Sequence, residues 1–351
     1  MILERTTEVP TILPAATNKQ EVISQSREVE LDRSPIKIII IGLFGIALSV
    51  WTVYSFYKFF TEGNAQHLIW ATLSGILFVA ITIAHAFLIK STKLMKLITL
   101  LEAFAPIALF YQHIIPEPSV PLLVGGLLLW YMISIGVGRG SRMLANSMRI
   151  RFFEIARAVF PRVTTGMILF ITVVFYLTFF AWGGMTTETG RTFFSGTLDI
   201  LQPAVRIWFP QTSFNGTVHE ALTGVVESQL NRNTVGSVDE FSLDERATII
   251  SKSVATIGES LEKTFGRIDF NAPFVNEIYR VFLGLLQSSS LMSLAIGFGT
   301  ALVLFFVLRS VTALLSGIIL LFGFIFFKIL LITNFAHIAV ENRSREFVIL
   351  T

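Results

Sequence analysis

The stretch that decides the fold is IIIIGLFGIALSVWTVYSFY, residues 38–57, which carries no charge between Lys37 and Lys58. A helix needs about 20 mostly apolar residues to cross the hydrocarbon core of a bilayer. The run meets that length and predicts a first membrane-spanning helix. The composition agrees, because 53% of the residues are hydrophobic and 15% are charged, whereas roughly a quarter are charged in soluble domains.

Six further apolar runs bring the predicted number of spans to seven. They cover residues 68–89, 97–115, 120–138, 163–183, 288–308 and 311–335. The third run is interrupted by Glu102 and Pro106, and the last contains Lys328. The sequence therefore predicts an all-α integral membrane protein, with a small helical domain inserted at residues 184–287, between spans five and six.

Lysine and arginine alternate between the two sides of these spans, as they do where short cytoplasmic loops hold the positive charge. The tail before the first span, residues 90–96 and residues 139–162 are basic, whereas the intervening short loops hold only Lys58. We expect a plasma-membrane protein with a cytoplasmic N-terminus and residues 184–287 extracytoplasmic. Seven crossings would place the C-terminal tail outside, although Arg343 and Arg345 favour the cytoplasm, and a re-entrant final segment would reverse it.

The remaining segments divide as follows. Residues 1–36 are polar and of mixed charge, which predicts a disordered cytoplasmic tail. Within the membrane region 37–183, residues 141–160 predict a basic helix lying on the inner leaflet, before Pro161 begins the fifth span; the alternative is an extended fourth span and a basic loop. Residues 288–335 form a two-helix membrane region and 336–351 a tail. Candidate contacts to anionic lipid headgroups are Arg142, Arg149, Arg151 and Arg157.

The inserted segment has helical periodicity and more acidic than basic residues. Apolar residues recur every three or four positions in 217–232 and 243–265, and Ser242 with Glu245 fits a capping box. A third helix is expected from Asn271, with Pro273 close behind, and could run straight into span six. Residues 192–209 are aromatic and apolar and are expected to pack on this bundle or on the outer leaflet.

Ionisable residues inside the spans are the natural candidates for function. His85 and Glu102 lie at similar depth from the cytoplasmic ends of adjacent predicted spans, so they could pair and relay protons. The alternative is two residues near the interface that snorkel or form a structural hydrogen bond. Lys328 is the third candidate, although it lies nearer the outer face and can snorkel.

Several classes of chemistry have no signal in the sequence. There is no cysteine, which excludes disulfides and thiolate sites, and the histidines never have metal-ligand spacing. No P-loop, GxSxG, HExxH or spaced acidic cluster occurs. We therefore expect no enzymatic activity, cofactor, metal site or nucleic-acid partner.

The C-terminal part carries one resemblance. Leu308-Arg309-Ser310, Phe327-Lys328-Ile329-Leu330-Leu331 and the ending Arg345-Glu346-Phe347-Val348-Ile349-Leu350 resemble the C-termini of uncharacterised multi-pass membrane proteins of small-genome, Patescibacteria-type bacteria. The resemblance implies a bacterial envelope setting and no particular activity.

Two functional hypotheses follow from the sequence. The first is a non-enzymatic envelope protein that acts as a scaffold, assembly or interaction module, with a protein partner or a second copy bound by the inserted domain. The second is a small-solute or ion transporter or channel that uses His85, Glu102 and Lys328 as its polar path. A membrane enzyme is a less favoured third.

Overall fold

The computed structural model describes residues 34–114, 120–147, 149–233, 243–341 and 345–350. In chain order, the helices are α1 (Pro35–Glu62), α2 (Ala65–Leu88), α3 (Thr92–Phe104), α4 (Tyr111–Ile114), α5 (Val120–Asn146), α6 (Phe152–Tyr176), α7 (Glu188–Trp208), α8 (Val218–Asn233), α9 (Leu243–Phe265), α10 (Phe274–Ser288), α11 (Ser290–Leu314) and α12 (Ser316–Ile332). The strands β1 (Ala336–Glu341) and β2 (Arg345–Leu350) pair antiparallel. Residues 1–33 of the predicted disordered tail lie outside the described residues. Ser242 of the predicted capping box also lies outside them.

Five helices in the described residues are long and apolar enough to cross a membrane. They are α1, α2, α5, α11 and the stretch Phe152–Ala181, in which a π-helical turn extends α6. These five helices cover the predicted spans one, two, four, five and six. The prediction of a helical chain with several membrane-length helices is therefore confirmed. The third predicted span is divided into α3, a 3₁₀ segment (Ala105–Phe110) and α4. The seventh corresponds to α12, a shorter apolar helix of 17 residues.

Helix α2 is the centre of the bundle. Every residue from 78 to 89 is buried, and the helix contacts α1, α5, α6 and α12. A helix that is apolar and buried on all sides belongs in the interior of a bundle. The end of α2 is therefore the part of the membrane region best shielded from lipid and water.

Helices α5 and α6 form the most extensive helix pair. Their close approach depends on glycine, because a Cβ on Gly140 would stand only 2.5 Å from Val159 Cγ2 and 3.0 Å from Ala86 Cβ. Small residues let helix backbones come together in lipid, as the glycine pattern of the sequence indicates.

The basic segment 141–160 is divided between two helices and does not form the single helix of its own that was predicted. Its first residues end α5, and its last begin α6, which continues through Pro161. One face of this first part of α6 packs into the bundle, through Phe152, Ile155, Ala156, Val159 and Phe160. Proline costs the helix one backbone hydrogen bond but does not end it here, and the Thr165 hydroxyl donates to the Pro161 carbonyl at 2.6 Å.

The inserted segment contains four helices: α8 and α9, which were expected from its periodicity, the expected third helix α10, and α7, which covers most of the apolar stretch 192–209. The third helix does not run straight into α11. Ser289 has extended backbone angles (φ −163°, ψ 155°), and its hydroxyl accepts the Met292 N–H at 3.1 Å, which starts α11 afresh. The Tyr279 hydroxyl of α10 donates to the carbonyl of Met185, near the start of the inserted segment, and so holds α10 close to the point where the chain leaves the Phe152–Ala181 stretch.

The end of α12 lies beside the beginning of α1. The Lys37 ammonium donates to the Phe335 carbonyl at 3.0 Å and stands 4.9 Å from the centre of the Phe335 ring. Further back along α12, Phe327 packs against Phe87, at the end of α2, with ring centres 4.9 Å apart. The chain therefore reaches the hairpin β1–β2 at the end of the bundle where α1 starts and α2 stops. The hairpin was not predicted from the sequence.

Candidate functional site

The structure brings His85 and Glu102 together inside the bundle. His85 lies in the last turn of α2 and Glu102 near the end of α3, and both side chains are completely buried. The His85 Nδ1 and Glu102 Oε1 atoms are 3.5 Å apart. The similar depth inferred from the sequence therefore corresponds to a direct side-chain contact.

Helix α1 makes the space for this contact. A Cβ on Gly45 would overlap Glu102 Oε1 and would lie 3.4 Å from His85 Cε1. One turn earlier, a Cβ on Gly42 would be 3.2 Å from the side chain of Ile98. Gly42 faces Ile98 and Gly45 faces Glu102, so the contacts advance in the same order along both helices. Helices α1 and α3 therefore run in the same direction, and Gly45 faces the carboxyl group.

The Glu102 carbonyl lacks its usual helical partner, which is the N–H four residues later. That residue is Pro106, and proline has no N–H to donate. The Ser49 hydroxyl of α1 donates to this carbonyl at 2.7 Å, in a buried hydrogen bond. Beyond Pro106 the helix narrows into the 3₁₀ segment. Glu102 is thus held one turn before a break in its own helix, and a side chain from α1 compensates for the break.

The polar atoms of the pair have few partners. Within the described residues, neither ring nitrogen of His85 nor either carboxylate oxygen of Glu102 makes a protein hydrogen bond of standard geometry. The backbone of Ile41 also approaches the imidazole. A neutral imidazole can accept a proton from a protonated carboxyl, and a carboxylate can accept one from an imidazolium. The arrangement can therefore hold one shared proton and pass it from one group to the other.

Lys328, the third candidate, is not brought to this pair. Its side chain is exposed on α12, with the ammonium 5.6 Å from the centre of the Phe324 ring on the same helix. A polar path that includes all three candidates is therefore not formed by side-chain contact.

The four arginines proposed from the sequence as headgroup contacts are all exposed, but they do not form one group. Arg142 donates to the Gly138 carbonyl at 3.2 Å, and Arg151 pairs with Glu154 at 2.9 Å. Arg157 instead lines a cavity of about 630 Å³ together with Arg139, Arg162 and Arg309. Arg309 could not be grouped with the others from the sequence, because it lies on α11, far away along the chain.

A search of the described residues finds no group of three or more histidine, aspartate or glutamate side chains that could hold a metal ion. No protein-family model, curated protein or solved structure matches the chain.

Proposed function

We propose that the chain is a multi-pass cell-membrane protein that transports protons, alone or together with a small solute or ion, through the His85–Glu102 pair. The observation that carries this proposal is the contact of two ionisable side chains, both completely buried, at 3.5 Å among membrane-length helices. No enzymatic step is part of it.

A purely structural role explains the pair less well. Buried ion pairs can often be replaced by apolar residues of similar volume with no loss of stability, because desolvation offsets their attraction. A structural hydrogen bond in a protein interior normally has its remaining polar atoms satisfied. Within the part of the chain that the structure describes, the polar atoms of both side chains make no hydrogen bond of standard geometry, and the Ile41 backbone approaches the imidazole. Retaining a group of this kind inside a membrane is better explained by a task that needs a titratable site.

The surrounding residues support a change of state at the pair. Glycine at position 45 places no side chain between the carboxyl group and α1, and the helix of Glu102 is broken directly after it. Interrupted helices at the centre of a membrane protein are typical of transporters that bind ions or protons there. We propose that Glu102 receives a proton from one side, shares it with His85, and releases it after a small movement of α3 against α1.

The topology that we propose has six crossings. Besides the five long helices, the path through α3, the 3₁₀ segment and α4 is about 35–40 Å long at the usual rise per residue, which is sufficient to cross. Helix α12 ends on the side where α1 begins, since Lys37 binds the Phe335 carbonyl. The basic loops favour the cytoplasm for that side, which leaves residues 184–287 extracytoplasmic.

Proton flux into proteoliposomes tests the proposal. The full chain is reconstituted with a pH-sensitive dye inside, and a potassium diffusion potential drives protons inward. We expect wild-type protein to acidify the lumen and Glu102→Gln to reduce the rate by at least about a hundredfold, as for loss of a proton-transfer group. Glu154→Gln, at an exposed glutamate of α6, is the matched control and should keep the wild-type rate. Equal flux in Glu102→Gln and wild type, with both folded, contradicts the proposal.

A second candidate is the interaction module, which one observation favours. Helices α8 and α9 enclose a groove of about 480 Å³ whose lining combines apolar residues with polar and charged ones, among them Glu227, Asn231 and Arg246. Such a groove suits a polar segment of a protein partner or of a second copy. In this function the inserted domain holds an assembly together and the membrane helices anchor it.

Light scattering of the full chain in mild detergent tests this second candidate for the case in which the partner is a second copy of the chain. A module that self-associates through the groove should form oligomers that Glu227→Lys dissociates, while Glu259→Lys, at an exposed position of α9 outside the groove lining, leaves them intact. In that case Glu102→Gln should change neither assembly nor any proton flux. A wild-type monomer contradicts self-association through this groove.

A further inference from the structure

Four arginines from three helices converge on one cavity of the membrane region. Arg139 belongs to α5, Arg157 and Arg162 to α6, and Arg309 to α11, and the cavity that they line has a volume of about 630 Å³. The remaining lining is apolar or weakly polar: Met132, Met143, Ala158, Pro161 and Thr165. The composition is therefore that of a basic cleft with apolar walls.

The positive charge in this cleft is not neutralised by the part of the chain that the structure describes. No acidic residue is among the lining residues, and none of the four guanidinium groups makes an ion pair with a described carboxylate. Arg162 donates to the Ala158 carbonyl at 2.8 Å and Arg309 to the Thr164 hydroxyl at 3.2 Å. These bonds use one donor each, whereas a guanidinium carries five N–H donors.

Two of the arginines are partly buried in helices that are long and apolar enough to cross a membrane. Arg162 and Arg309 are each only partly exposed, and both lie within such helices. Unpaired charge within a membrane-spanning helix is costly unless a counter-charge approaches it. Arginine binds phosphate oxygens through two parallel hydrogen bonds. A phosphate group is therefore the ligand that best matches several converging guanidinium groups.

We infer that this cleft binds the phosphate of an anionic phospholipid headgroup. The apolar walls formed by Met132, Met143 and Pro161 suit the upper part of the lipid chains, and the arginines contact the phosphodiester. Basic pockets between membrane helices are known to bind anionic headgroups. The site differs from the four surface arginines proposed from the sequence, because only Arg157 is common to both, and it does not depend on proton transfer.

Native mass spectrometry of the full chain in mild detergent tests the inference. Purified protein is titrated with phosphatidylglycerol, with phosphatidylcholine or with inorganic phosphate, and bound molecules are counted. We expect one phosphatidylglycerol to bind more tightly than phosphatidylcholine, and Arg157→Gln/Arg309→Gln to weaken it by at least about tenfold, as for loss of hydrogen bonds to a charged group. The control, Arg142→Gln/Arg151→Gln, removes the same charge outside the cleft and should change affinity by less than about twofold.

Three results would overturn the inference. Equal weakening in both double variants would show that the basic surface attracts lipid without a site. Equal binding of phosphatidylcholine would remove the requirement for an anionic headgroup. Displacement of phosphatidylglycerol by an equal concentration of inorganic phosphate would identify a soluble anion as the ligand. If Arg157→Gln/Arg309→Gln does not fold, Arg157→Lys/Arg309→Lys keeps the charge and should still weaken binding, because lysine cannot make the paired contact; unchanged binding in that variant contradicts the site.

Discussion

The carboxyl group of Glu102 fits inside the bundle because the facing residue on α1 has no side chain. Gly45 provides the space, Ser49 binds the Glu102 carbonyl, and His85 supplies the one ionisable neighbour in contact. Each of these residues occupies a position where a different side chain would remove space, a hydrogen bond or a proton acceptor. The site is therefore specified by four residues on three helices.

At this scale we predict that Gly45→Ala is destabilising and reduces proton flux. The added methyl group overlaps Glu102 Oε1, and because the carboxyl is completely buried its displacement should cost about 1–3 kcal/mol, as other overpacked cores do. Thermal unfolding in detergent and flux in proteoliposomes measure the two effects. Gly299→Ala on α11 is the control, since a Cβ there meets nothing within 4 Å. An unchanged melting temperature and flux in Gly45→Ala would contradict the geometry described.

The sequence predicted part of this site. Counting residues from the ends of the spans placed His85 and Glu102 at similar depth, so their contact was foreseeable. The contribution of Gly45 was not, because a glycine in an apolar run indicates a close approach without naming the neighbour. Arg309 shows the same limit: its place beside Arg157 depends on how α11 packs against α6, which hydropathy does not encode.

At the scale of elements, the break in the third predicted span decides where the carboxyl group is held. Pro106 ends α3 just after Glu102, and the resulting free carbonyl is bound from a neighbouring helix. The interruption is visible in the sequence as a proline within an apolar run. The compensation by Ser49 is not, because serine in a membrane helix usually bonds to its own backbone, as Ser74 does with the Trp70 carbonyl at 2.7 Å.

We predict that Ser49 and Pro106 are energetically coupled. Ser49→Ala should cost about 1–2 kcal/mol in the wild-type background, because it leaves a buried carbonyl unpaired. In Pro106→Ala the backbone N–H returns and can bind that carbonyl, so the cost of Ser49→Ala should fall by at least about 0.5 kcal/mol. Unfolding of the four proteins in the cycle measures the coupling. Ser74→Ala in both backgrounds is the control, and equal costs of Ser49→Ala in both backgrounds would contradict the account.

A second element-scale prediction concerns acid stability of the inserted domain. The Arg280 guanidinium, which donates to Glu277 at 2.9 Å, lowers the pKa of that carboxyl below its ordinary value of 4.5, with the Asp269 N–H assisting. A lowered pKa in the folded protein stabilises it above the unfolded pKa, and this contribution is lost as the pH falls through the folded value. The stability advantage of wild type over Glu277→Gln should therefore be full at neutral pH and shrink below about pH 4.5.

Melting temperatures of both proteins across this pH range provide the measurement. Glu259→Gln, at an exposed position, should show no comparable pH-dependent difference from wild type. A difference between Glu277→Gln and wild type that stays constant into acid would show that the Arg280 contact does not favour the ionised form.

At the scale of the whole molecule, α2 lies in the interior of the bundle and packs against α1, α5, α6 and α12. The sequence was sufficient to predict five of the membrane-length helices, because each is a long apolar run. It could not predict the direction of α12, since hydropathy is the same whichever way a helix runs. The contact of Lys37 with the Phe335 carbonyl joins positions nearly 300 residues apart, and only the packed bundle reveals it.

We predict that the end of α12 and the start of α6 are accessible from the same side of the membrane. Single cysteines at Thr333 and Ser147, in a chain without native cysteine, should react with an impermeant thiol reagent from the cytoplasmic side of sealed vesicles. A cysteine at Thr256, on α9, should react from the opposite side. Labelling of Thr333→Cys and Thr256→Cys from one common side would contradict the six-crossing topology.

The central claim is that the buried carboxyl of Glu102 gains and loses a proton while the protein works. Infrared difference spectroscopy of the full chain in membranes, recorded between two pH values, detects the carbonyl stretch of a protonated carboxyl directly. We expect a pH-dependent band in wild type that is absent in Glu102→Gln, shifted in His85→Asn and retained in Glu154→Gln. A wild-type spectrum without such a band, or a band that persists unchanged in Glu102→Gln, would show that Glu102 does not exchange a proton.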